Sequence, residues 1–170
     1  MKIKYCSIVV IAVMGLISGC HSTHIAKQGL LPTGTIMEAT MLSGGIYPTL
    51  PNTKPVPTMF RVNGIDINGI NAMPTNTNGC FAMADAVGNL STERVDYRLT
   101  TLSCLNREGK AIIDESIKGF VVGADGKAGI PGKFLVPEII TPNIGVNIEV
   151  KPGQSVNLVM TESVKFQKKN

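Results

Sequence analysis

The stretch GADGKAGIPG sets Gly123, Gly126, Gly129 and Gly132 three residues apart, with Pro131 just before the last. Few folds accept such spacing. Collagen needs many triplets and abundant proline, which four glycines and one proline do not supply. A phosphate-cradling loop wants Gly-Lys-Ser/Thr opening a helix, whereas Lys127 is followed by Ala128 and then Pro131. A calcium loop needs acidic or amide ligands at alternating positions, and Asp125 stands alone. What survives is a corner in an all-β chain. Asp125-Gly126 is a turn dipeptide, and spaced glycines let a strand leave its sheet or let another backbone approach closely.

The rest of the sequence reads the same way. GTIMEATML sets Ile36, Glu38, Thr40 and Leu42 against Thr35, Met37, Ala39 and Met41, the period of a strand with a buried face. PTLPNTKPVP is a Pro-rich connection that cannot lie inside a sheet. TMFRVNG predicts a second strand, and NGINAMPTNTNG a loop. CFAMADAVG, RVDYRLTTLSCL and KAIIDESIKGFVVG predict further strands; in the middle one Val95, Tyr97 and Leu99 alternate with Asp96, Arg98 and Thr100. NREG has the length of a hairpin turn, and VNIEVKPGQSVNLVM predicts another hairpin about Pro152 and Gly153. NLSTER predicts one short helical turn, capped by Ser91 and ended by Arg94. The expected fold is all-β, a small β-barrel or sandwich with few short helices, and 170 residues give room for one such domain.

Lys2 and Lys4 precede an apolar run from Tyr5 to Ile17, short for a membrane span but the length of a signal-peptide core. The run ends in LISGC, which looks like the site at which bacteria cut a lipoprotein precursor and acylate the new terminal cysteine. Residues 1–19 are therefore expected to be a lipoprotein signal peptide, Cys20 the lipidated (palmitate-type) residue, 20–30 a tether and 31–170 the barrel domain. His21 follows the cysteine where inner-membrane lipoproteins usually carry Asp, so the expected location is the outer membrane, lipid-anchored and facing the periplasm, with the cell surface as the alternative. Cleavage removes Lys2 and Lys4, leaving 14 basic against 12 acidic residues, a net charge of about +2 that argues against direct nucleic-acid binding. Lys165, Lys168 and Lys169 read as a solvated tail. Of the four cysteines, Cys6 leaves with the signal and Cys20 takes lipid. Cys80 and Cys104 are left either to pair in an oxidising periplasm or to stay as buried thiols.

NGCFAMADAVGNLSTERVDYRLTTLSCLNREGK and IKGFVVGADGKAGIPGKF together closely resemble the core of the TraB/TrbI family, scaffold proteins of conjugative type IV secretion systems. The family's cysteine, its Gly-Asp-Leu-Ser-Ser-Glu-Arg-like stretch, its Leu-Ser-Cys strand and its glycine corner fall on Cys80, Gly88 to Arg94, Leu102 to Cys104 and Gly123 to Gly132. With LLPTGTIMEATMLSGG and PVPTMFRV the resemblance covers most of residues 30–132, and IEVKPGQSVNLVMTESVKF resembles the family's last strands. Asn89 replaces the usual Asp, and Thr92 a usual Ser. Full-length members carry an inner-membrane helix and a long Pro-rich stretch that do not fit before Leu30. In relatives a two-helix antenna follows the glycine corner, but Lys133 to Ile144, with Pro137 and Pro142, is too short for two spans of about 20 residues each.

The resemblance implies a structural subunit of the outer-membrane core complex, the channel ring of a type IV secretion or conjugation system serving DNA or protein transfer. The partners implied are TraK-like and TraV-like subunits and a full-length TraB paralogue, in a homo- or hetero-oligomeric ring. The alternative is a stand-alone lipoprotein, a binding or exclusion module on the same barrel. No enzyme activity, catalytic residue, cofactor or metal is expected. His21 and His24 lack a third ligand nearby, Ser91 lacks a histidine partner, and Asp85, Glu93, Asp96, Asp114 and Glu115 read as solvated strand or turn positions. The structural glycine corner is Gly123, Asp125, Gly126, Gly129 and Gly132. The candidate subunit contacts are Arg94, Asp96 and Arg98, together with the Pro-rich loop from Tyr47 to Pro57.

Overall fold

Met37, Ala39 and Met41 are buried, whereas Ile36 and Glu38 are exposed and Thr40 is half-buried, so the alternation visible in GTIMEATML becomes a strand with one inner face. The computed structural model describes residues 27–67, 70–71, 77–136 and 145–168, and in it this pattern recurs along the chain. The first seven strands are β1 (Lys27–Leu31), β2 (Ile36–Met41), β3 (Gly45–Pro48), β4 (Val56–Ile67), β5 (Ile70–Asn71), β6 (Thr77–Asn89) and β7 (Arg94–Asn106). The next seven are β8 (Ala111–Ser116), β9 (Gly119–Val122), β10 (Ile130–Pro131), β11 (Lys133–Leu135), β12 (Asn147–Val150), β13 (Ser155–Met160) and β14 (Val164–Lys168).

Six of these strands close a barrel in the order β7, β6, β4, β2, β13, β9, and β9 returns to β7 through the pairing of Arg98 with Phe120. Closure removes the open edges that a sheet would otherwise present. β5, β8 and β10 extend single barrel strands, β3, β12 and β11 form a separate three-stranded sheet, and β1 pairs with β14 as a ribbon. The long strands must change face partway to follow the curve, and bulges do this. Met83 pairs with Thr101 but Ala84 with Leu99, so the extra Thr100 shifts the inward set of β7 from Val95, Tyr97 and Leu99 to Leu102 and Cys104. On β4 the extra Asn63 likewise shifts it from Phe60 and Val62 to Ile65.

Small and large residues share the interior. β6 turns Cys80, Ala82, Ala84 and Ala86 inward, which leaves room for Phe60, Tyr97, Met37, Met41 and Leu158 from other strands. Tyr97 meets Tyr47 and Phe60 edge-on, at ring-centroid distances of 5.8 and 5.6 Å. Tyr47, brought in by the three-stranded sheet, shares a hydrogen bond with Thr58 at 3.1 Å. Burial pushes the Tyr97 phenol far above its ordinary range, and the Tyr47 phenol beside it pushes the same way.

Three sequence expectations need correction. The Pro152–Gly153 turn forms, with Gly153 at φ +84° and its N–H donating to Met41 O, but it joins no hairpin. β12 pairs with β3 and β11, whereas β13 pairs with β2 and β9, because distant partners and not the turn decide where each strand lies. NLSTER is no helix: Leu90 to Glu93 turn between β6 and β7, Glu93 takes φ +60°, and Asn89 Oδ1, not Ser91, accepts the N–H groups of Ser91 and Thr92. The described residues contain no helix. Finally, residues 27–30, read as tether, belong to β1, and Lys165 and Lys168, read as tail, belong to β14.

Candidate interaction surfaces

The glycine run is a corner folded back over the start of β7. Gly126 N–H donates to Gly123 O and Gly123 N–H to Lys127 O, closing a turn after β9; β10 then pairs Ile130 with Val95 and Pro131 with Arg94. Gly126 and Gly129 have φ of +76° and +74°, where a side chain is strained, and a Cβ on Gly129 would also lie 2.7 Å from Val95 O. At Gly132 a Cβ would collide with Ile148 and the carbonyl of Glu149, so the three-stranded sheet packs directly on that backbone.

Arg94 holds this corner. Its two terminal nitrogens donate to the Asp125 carboxylate at 2.8 and 2.9 Å, its Nε donates to Ala128 O at 2.7 Å, and one terminal nitrogen also donates to Gly129 O at 2.7 Å. The guanidinium is a rigid fork, and only a fork reaches a carboxylate and successive carbonyls at once. Asp125 is exposed, and the hydrogen bonds from Arg94 hold its carboxyl below the usual carboxylate range. The expectation that Arg94 presents itself to another subunit is therefore corrected. Arg94 does lie on the same side of β7 as Asp96 and Arg98, but the corner covers it, leaving it 9% exposed with its donors used inside the chain.

Asp96 and Arg98 remain exposed. The structure brings them together with the Pro-rich loop: an open groove of about 470 Å³ is lined by Thr49, Pro55, Asp85, Leu90, Asp96 and Arg98 among others. Asn89 Nδ2 donates to Asp96 Oδ2 at 2.9 Å, and among the described residues Arg98 has no ion-pair partner. The two candidate surfaces found separately in the sequence are thus one surface. Gly88 permits the junction, since a Cβ there would sit 2.9 Å from the carbonyls of Tyr47 and Pro48.

The strand registers place a belt of side chains at one level outside the barrel, running Pro57, Asp85, Arg98, Phe120, Val159 and Ile36. Phe120 and Ile36 are 38% and 43% exposed. The sequence reading missed this apolar arc, although an apolar residue at an outward position of an alternating strand is its signal. A second exposed pair, Leu42 and Met59, lies on the neighbouring part of the wall, where Met59 pairs with Met83. The outer wall is thus apolar on one arc and charged on the next. Among the described residues, no three His, Cys, Asp or Glu side chains are grouped to hold a metal ion. His21, His24 and Cys20 lie outside the described residues.

Cys80 and Cys104 form a disulfide, and they do so as direct cross-strand partners on β6 and β7, with Cα atoms 4.0 Å apart. Of the two alternatives the sequence left open, the paired form is the one present.

A small closed β-barrel, disulfide-bonded and carrying a latched glycine corner, is the class of domain these features define. Within that class the chain has a TraB-like relationship: it is 33% identical over 116 residues to Protein TraB of Escherichia coli strain K12. The match covers 65% of this chain and 24% of that protein, so the chain spans about a quarter of the relative's length. No protein-family profile matches the chain.

Proposed function

We propose that the chain is a lipid-anchored structural subunit of the outer-membrane core complex of a type IV secretion or conjugation system, a component of its channel ring. The observation that carries this reading is the likeness to Protein TraB across 116 residues. The exposed belt supports it, because a ring built from heterologous contacts needs two different faces on each protomer. On this reading the groove formed by Asp96, Arg98 and the Pro-rich loop meets one neighbour, and the Phe120 and Ile36 arc meets the next. Cys20 bears the acyl chains, the domain faces the periplasm, and TraK-like, TraV-like and full-length TraB-like subunits are its partners. The function is structural, with no catalytic step.

The test is extraction in mild detergent from cells carrying the native gene cluster, followed by sizing and mass spectrometry of whatever co-purifies. A megadalton-class particle containing other secretion proteins is the expected result. A free monomer of about 16 kDa plus lipid, which is 18.1 kDa scaled by 151/170 for the cleaved chain, overturns the ring and favours a stand-alone lipoprotein.

A further inference from the structure

Cys80 and Cys104 lie in the middle of a row that crosses four strands. Register sets Val62 of β4 beside Cys80, Cys80 opposite Cys104, and Ile113 of β8 beside Cys104, and all four residues are buried, the cysteines at 0% exposure. Neither cysteine stands at a sheet edge, because at that level β6 and β7 each have a strand on both sides. Making a disulfide by exchange requires a third sulfur. A thiolate attacks a disulfide sulfur in line with the bond that breaks, and the reaction passes through a mixed disulfide. A residue with no exposed surface in a close-packed interior offers no such approach, so the closed fold excludes the reaction that makes its own cross-link. The hairpin that carries the pair is nevertheless local. Leu90 to Glu93 turn β6 into β7, and the two strands pair from Asn89 with Arg94 out to Thr77 with Asn106. A hairpin forms in about 1–10 μs. The core residues Val156, Leu158 and Met160 arrive on β13, from much later in the chain, and closing so long a loop is slower.

We propose that the Cys80–Cys104 bond is made on the open β6–β7 hairpin, by exchange with an external disulfide, before the remaining strands pack on the hairpin's inner face, and that closure of the barrel then seals it. Sγ of one cysteine loses its proton and attacks the external disulfide. That bond breaks, a mixed disulfide forms, and one sulfur of the oxidant leaves and takes up a proton. Sγ of the second cysteine, deprotonated in turn, attacks Sγ of the first, and the oxidant's other sulfur leaves as a thiol. Two electrons pass to the oxidant, and its two new thiols carry the two protons the cysteines gave up. The inner face of the hairpin is thus a transient substrate surface. Neither the ring nor the lipid anchor enters this order of events.

The test uses the full chain in mild detergent with Cys6→Ser and Cys20→Ser, so that Cys80 and Cys104 are its only thiols. The probes, in oxygen-free buffer, are glutathione disulfide and, separately, an oxidised thioredoxin-type protein; the faster of the two names the source of the oxidising disulfide. The chain is reduced in urea and freed of reductant. In one arm it is diluted into buffer already holding the probe. In the other it is first left to fold, followed by far-ultraviolet circular dichroism, and then receives the same probe. Free thiols are counted by alkylation and mass spectrometry. Disulfide formation is expected to be at least about tenfold slower in the second arm, because exchange then waits for the small open population. Leu158→Ala, a buried position on β13 and outside the hairpin, is expected to speed the second arm and leave the first unchanged. A reduced chain that gains strand signal only after oxidation shows the same order of events and supports the proposal. For a reduced chain that does fold, equal rates in the two arms, or a second-arm rate unmoved by Leu158→Ala, overturns it. So does a first arm in which neither probe forms the disulfide.

Discussion

Replacing Arg94 with alanine tests the account of the glycine corner directly. The side chain is 9% exposed and donates to two carbonyls at 2.7 Å, of which Gly129 O is on a buried residue. Leaving a buried acceptor unpaired costs about 1–3 kcal/mol, and the lost bond to the more exposed Ala128 O adds about 1 kcal/mol. The Asp125 carboxylate is exposed and enters no such sum. Arg94→Ala is therefore expected to cost on the order of 3 kcal/mol, a large part of a small domain's stability. Arg94→Lys should recover only part of this, because one ammonium cannot replace the fork. The assay is urea unfolding followed by far-ultraviolet circular dichroism, with the slope checked for constancy. A loss below about 1 kcal/mol for the alanine variant, or full recovery by lysine, would refute the reasoning that the fork holds the corner.

Four further outcomes follow from the same geometry. Removing the Cys80–Cys104 disulfide, which closes a sequence separation of 24, is expected to cost about 3 kcal/mol, read as a lower urea midpoint for the double alanine variant. Gly129→Ala, strained in φ and 2.7 Å from Val95 O, should cost clearly more than Gly126→Ala, which is strained in φ but has open space; equal melting temperatures for the two would contradict the packing. The folded-state carboxyl of Asp125 lies below its ordinary 3.8, so its contribution is present above that pH and is lost as pH falls through the lowered value; acid titration of the melting temperature should show this loss in the native chain and not in Asp125→Asn. Arg98→Glu with Phe120→Ser changes exposed positions, so the unfolding midpoint should move little while the size of the extracted particle falls; an unchanged particle removes the belt from the interface.

Much of the architecture was legible in local pattern. Met37, Ala39 and Met41 alternate with polar or exposed neighbours, and that period alone gives a strand with one buried face. The glycine run was readable by elimination as a corner, and NREG does connect β7 to β8. Other features were not readable because they depend on what arrives from elsewhere in the chain. Val95, Tyr97 and Leu99 announce the inner face of β7, but Thr100 shifts that face, and nothing local marks Thr100 as the residue left unpaired. Arg94 looks like Asp96 and Arg98 in the alternation, and only the return of residues 123–131 covers it. Pro152 and Gly153 specify a turn, yet a turn constrains four residues and says nothing about the partners of the strands on either side.

The sequence alone therefore determined the class of structure, because period-two burial and the conformations open to glycine and proline are properties of a few consecutive residues. Barrel closure through Arg98 and Phe120, the merging of the Pro-rich loop with the β7 face, and the pairing of β1 with β14 were decided by tertiary structure. Each joins segments that are distant in sequence. The free energy of such a junction belongs to the pair of surfaces that meet, and neither segment carries the record of its partner.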